Sequence, residues 1–125
     1  MKKMKVIVLE PRKEAYVKEV ENSLSGMQEV VGGYIQGIYP FVEEICLVVN
    51  EEGKINGLPL NRALFDESGK VYDIIAGTAF ICGCSEDSFD SLTEEYQEKF
   101  LAMFKHPETF LSVNGEIVAI PISIK

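Results

Sequence analysis

The run Val71–Cys84 constrains this chain most: it is apolar along most of its length and broken in the middle by Gly77-Thr78. A run of this kind is buried, and glycine inside it marks a bend or bulge. Phe80-Ile81-Cys82 is therefore expected as a central strand. Lys5–Leu9 is a second continuous apolar run and predicts a strand buried on both faces. Pro11, which has no amide donor, ends it.

Weaker signals fill in the rest. Ala15–Val20, Tyr34–Phe41 and Glu44–Asn50 read as strands, the last rich in β-branched residues. Asn22, Ser23 and Ser25 are all capping residues, Ser25-x-x-Gln28 has the form of a capping box, and Leu24, Met27 and Val31 share one helical face before Gly32-Gly33 stops the helix. Lys54–Leu60 is irregular, and Asn61–Phe65 reads as a single helical turn. Ser91-x-x-Glu94 opens a second helix running to about Lys105, with Leu92, Tyr96 and Phe100 on one stripe. Asn114-Gly115 between two apolar arms is a hairpin signal, with Pro121 restricting the return arm to an edge. Strands outnumber helices and do not alternate with them. The expected class is α+β: a mostly antiparallel sheet, two main helices packed on one face, and a C-terminal β-hairpin. At 125 residues the chain is expected to be a single domain, 1–125.

Composition narrows function by exclusion. With 12 basic and 20 acidic residues the net charge is −8, which disfavours general nucleic-acid binding through phosphate neutralisation. The charge is uneven. Residues 1–20 hold six basic and three acidic groups, whereas 71–98 hold seven acidic groups and no basic one. No stretch approaches the roughly 20 apolar residues of a membrane span, and the apolar run after the basic start is too short for a secretory signal. Three cysteines, two of them in Cys82-Gly83-Cys84, match no zinc pattern and read as reduced, mostly buried thiols; a cytoplasmic location is expected. The sole histidine, His106, follows the second helix, where a positive charge complements the helix end. The nucleophile elbow, the Walker loop and the dinucleotide glycine pattern are all absent. No catalytic residue, metal or cofactor is assigned.

One segment stands apart. Asn50-Glu-Glu-Gly-Lys-Ile-Asn56-Gly-Leu-Pro-Leu-Asn61-Arg62 gathers three asparagines, two glycines, a proline and an arginine between apolar flanks. Asparagine and glycine build turns, so loop architecture alone accounts for them. The functional reading is a polar loop presenting amides and a guanidinium fork, which grips carboxylate or phosphate. Asn50, Asn56, Asn61, Arg62, Tyr34 and Thr78 are the candidate ligand-binding residues. Arg62 is structural if it pairs with Asp66 or Asp73, and a ligand group if it faces a pocket.

That segment, Val-Gly-Gly-Tyr-Ile at Val31–Ile35 and Asp-Ile-Ile-Ala-Gly-Thr at Asp73–Thr78 together resemble the domain-of-unknown-function family 3846 over roughly Met4–Phe104. The resemblance implies a small bacterial or phage protein, often carried on plasmids or conjugative elements of Gram-positive gut bacteria. It brings no established activity. Glu108–Lys125 lies outside the shared core, so the hairpin is expected to be particular to this chain. Three readings follow: a non-enzymatic binding or regulatory accessory of a phage, plasmid or conjugative element; an acidic nucleic-acid mimic that inhibits a host DNA-binding enzyme; and a small anion- or nucleotide-binding enzyme using Arg62 with Asp73 or Glu52. The expected partner is accordingly a protein or a small anionic ligand, and homo-oligomerisation through the hairpin is open.

Overall fold

The structure, a computed structural model, describes residues 2–86 and 88–122. In chain order the elements are β1 (Lys3–Leu9), β2 (Tyr16–Glu21), α1 (Leu24–Val31), β3 (Ile35–Ile38), β4 (Ile45–Asn50), β5 (Leu60–Phe65), β6 (Val71–Ala76), β7 (Ala79–Cys84), β8 (Phe89–Asp90), α2 (Glu94–Phe104), β9 (Glu108–Val113) and β10 (Glu116–Pro121). The main sheet runs β2-β1-β7-β4-β3, with β8 added beside β7, and every neighbouring pair is antiparallel. β5–β6 and β9–β10 form two separate two-stranded ladders. The class is α+β with mostly antiparallel strands and two helices, as the patterning implies.

The helices do not share a face. Alternation along β1, β4 and β7 sends one set of side chains each way. Val6, Val8, Cys46, Val48, Phe80 and Cys82 pack with Met27 and Val31 of α1. Ile7, Leu9, Ile45, Leu47, Ala79 and Ile81 pack with Phe100 and Phe104 of α2, joined by Leu64 and Ile75 of the β5–β6 ladder. The expectation of both helices on one face is thus corrected. Central strands that are apolar on both sides need a cover on each.

Asn61–Phe65 is not a helical turn but most of β5. It pairs with β6 at Arg62↔Ile75, Ala63↔Ile74 and Leu64↔Asp73, and this hairpin pairing overrides the local turn signal. Gly77 has φ +83°, and there the Val71–Cys84 run passes from the small ladder into the main sheet. The bend expected at Gly77-Thr78 is therefore a change of sheet. The caps also shift. Of the three capping candidates Asn22, Ser23 and Ser25, it is Ser23 and not the Ser25 of the capping box that caps α1, accepting from the Gly26 backbone amide at 3.0 Å. Thr93 caps α2, while Ser91 accepts from the Lys5 amide at 2.9 Å and ties β1 to the helix approach. In the terminal hairpin Asn114 (φ 51°) and Gly115 (φ 82°) both lie in the left-handed region, as a two-residue Asn-Gly turn requires. The last positions of that expected hairpin, 123–125, lie outside the described residues, as does Asp87 of the acidic stretch.

Candidate functional site

The candidate residues are brought to three separate places. Asn61 and Arg62 sit in the core, both fully buried, and Arg62 is the largest side chain so enclosed. Its Nε donates to the Phe104 carbonyl at 3.2 Å, and Nη2 donates to the same carbonyl at 3.1 Å and to that of Lys13 at 2.8 Å. Nη1 donates to Asn61 Oδ1 at 2.9 Å and to the Glu10 carbonyl at 3.4 Å. The Asn61 amide in turn donates to the carbonyls of Leu9 and Gly77, each at 2.8 Å. This clasp joins the β1–β2 turn, β5 and the C-terminal end of α2, where the partial negative charge of the helix favours a cation. Burial pushes the Arg62 pKa down and nearby Glu108 pulls it up. Every arm of the fork that would grip an anion is occupied by a main-chain or amide oxygen. Neither carboxylate considered for Arg62 serves it: Asp73 bridges to Lys54, and Asp66 accepts from Ser68 and Lys70.

Tyr34, Asn50 and Asn56 meet elsewhere. They line a surface notch of about 230 Å³ at the C-terminal end of α1, together with Gln28, Gly32, Gly33 and Glu52. Asn50 organises it. Its Nδ2 donates to the Val31 carbonyl at 3.1 Å, taking up an orphan acceptor of α1, and its Oδ1 accepts from the Glu52 amide at 2.9 Å. Gly32 ends the helix with φ +77°. At Gly33 an added Cβ would stand 2.9 Å from Asn50 Nδ2, so a larger residue would have to displace that amide from its bond to Val31. The Asn56 amide donates to the Glu52 carbonyl at 2.9 Å, folding the loop back so that both residues edge the notch. Tyr34 is 65% exposed. Gln28 reads from sequence as a capping-box residue and not as a site residue; its position one helical turn before the Gly32 cap is the signal that would have placed it here.

Thr78 faces a different depression of about 370 Å³, between β2 and the other flank of α1, rimmed by Glu10, Lys18, Glu19, Glu21 and Glu29. There the Tyr16 hydroxyl donates to Glu10 Oε2 at 2.6 Å, and burial together with that bond pushes the phenol pKa up to about 12.

The cysteines are free thiols, with Cys46 and Cys82 buried and Cys84 partly exposed. Cys46 stands opposite Cys82 across β4–β7. The sulfur contact between them, with burial, keeps Cys82 a thiol well above its ordinary pKa. They lie on the α1 face of the sheet, whereas His106 follows α2 on the other. Among the described residues, no group of three or more His, Cys, Asp or Glu is arranged to hold a metal ion, and no helix is long and apolar enough to cross a membrane.

A family model described as a domain of unknown function (DUF3846) matches residues 4–105. No curated protein and no solved structure matches the chain. Strands β9 and β10 lie beyond the matched residues.

Proposed function

The chain belongs to the DUF3846 family, and on that footing we propose that it is a non-enzymatic binding module that engages a partner through the notch at the end of α1. One observation carries this reading. Residues distant in sequence (Gln28, Tyr34, Glu52 and Asn56) converge there around the buried Asn50, with Tyr34, Glu52 and Asn56 exposed, whereas Asn61 and Arg62 are consumed by the fold. The notch is smaller than the roughly 300–1,000 Å³ that encloses a drug-sized ligand. It suits one side chain of a larger partner. The finer reading, an accessory of a phage, plasmid or conjugative element, rests on the family resemblance, and its cytoplasmic location on the free, mostly buried thiols.

The test is affinity capture from a bacterial host with the full chain, in parallel with Tyr34→Ala and Asn56→Ala. The expected result is a protein retained by the parent and lost from both variants at unchanged melting temperature. Retention by the variants, or a measured turnover, overturns it. Transfer frequency of a carrier element with and without the chain tests the finer part.

A further inference from the structure

We propose that the notch recognises a cationic group, the guanidinium or ammonium of an arginine or lysine side chain on a protein partner; this rests on the binding reading above. The polarity of the site carries the argument. α1 ends here, and its last turn holds no basic residue, so no side-chain cation of its own offsets the partial negative charge of its terminal carbonyls. Glu52 adds a full negative charge at the rim, and Gln28 and Asn56 add amide oxygens as acceptors. None of the residues lining the notch is basic.

Tyr34 supplies the second element. Its ring is 65% exposed beside the glycine pair, and an aromatic face attracts a cation laid over it. The approach over Gly32 is open: no atom lies within 4 Å of where a Cβ at that position would stand. An aliphatic stem lying along the two glycines would thus end between a carboxylate and an aromatic ring. The same features repel an anion, so the charge preference at this surface is opposite to the one that Arg62 suggests in isolation. The net charge of −8 adds long-range attraction for a basic partner.

The experiment is a titration of the ¹⁵N-labelled full chain, followed by amide chemical shifts. The probes are the N-acetyl amides of arginine, lysine, glutamate and norleucine. The arginine and lysine probes should shift Gly32, Gly33 and Asn56, and added salt should weaken the effect. Tyr34→Ala should weaken binding by about twofold to fivefold, and Glu52→Gln by a similar factor of about two to five. Both side chains are exposed, so the fold should survive either change. Equal or larger shifts with glutamate or norleucine would show a binding notch without cation preference, overturning this inference and leaving the binding reading intact. Cation affinity unchanged in both variants, or no shift with any probe, would also overturn it. The capture experiment above then judges the binding reading separately.

Discussion

At the residue scale, the two notable polar side chains of the Asn50–Arg62 segment have opposite fates. Arg62 is fully buried and hydrogen-bonded to three chain segments, so its removal should act on stability. Arg62→Ala takes the guanidinium donors from the carbonyls of Phe104 and Lys13 and from Asn61 Oδ1, and the expected loss is about 3–5 kcal/mol in urea denaturation. Arg62→Lys keeps the charge but not the planar fork, and should recover less than half of that. Full recovery by lysine would show that charge, not geometry, holds the clasp. Asn50 is also buried but lies under the surface notch, whose floor it fixes through its bonds to Val31 and Glu52. Gly33→Ala pushes a Cβ against Asn50 Nδ2 and should cost about 1–2 kcal/mol. In an Asn50→Ala background the same change should cost almost nothing, so the double-mutant cycle reads a coupling of the same size. Independent, additive losses would refute the contact.

At the element scale, the terminal hairpin packs on β5 and β6 and is tied to β5 by a carboxylate. Glu108 at the start of β9 accepts from the Ala63 amide of β5 at 2.8 Å. Burial raises its pKa, while that hydrogen bond and Arg62 oppose the rise. A carboxyl whose folded pKa lies above its unfolded one binds its proton more tightly when folded. Its contribution is therefore fully present below the ordinary value of 4.5 and is lost as pH climbs through the folded pKa. Glu108→Gln preserves the acceptor and removes the titration. The variant should show a flatter stability profile from about pH 4 to 7, gaining on the parent as pH rises. Parallel profiles would remove Glu108 as a source of the slope. The helices show a related economy: Ser91, a natural cap, is recruited by Lys5, and Thr93 caps α2 instead.

At the scale of the whole molecule, a sheet covered on both faces implies two cores that behave separately. Val31 belongs to the α1 side and Ile75 to the α2 side. Val31→Ala should cost about 2 kcal/mol and Ile75→Val about 1 kcal/mol. Because the strands keep the two sets apart, the double variant should lose their sum within about 0.5 kcal/mol. A coupling well above that would mean that the two cores share contacts. Within the acidic stretch, Asp73 lies on β6 paired with Lys54, Asp90 on β8, and Glu94, Glu95 and Glu98 on α2.

Much of the fold was legible because burial leaves a periodic trace. The continuous apolar runs at Lys5–Leu9 and Val71–Cys84 and the Asn114-Gly115 turn each led to the right element. Those same runs carried the information that both faces of the sheet are covered, yet which helix covers which face depends on crossovers that local pattern does not encode. The Asn61–Phe65 strand was hidden because its polar start mimics a turn, and only pairing with β6 and a buried set of carbonyl partners make a strand there favourable. For the site, sequence alone determined the residue types, namely amides, an aromatic ring and a guanidinium near glycines, since these follow from composition and order. Tertiary structure alone decided their assignment, Tyr34, Asn50 and Asn56 to a notch, Arg62 to the core and Thr78 to another depression. The physical reason is desolvation: a buried guanidinium is stable only where several carbonyls converge on it, and that convergence exists only once β1, β5 and α2 have packed.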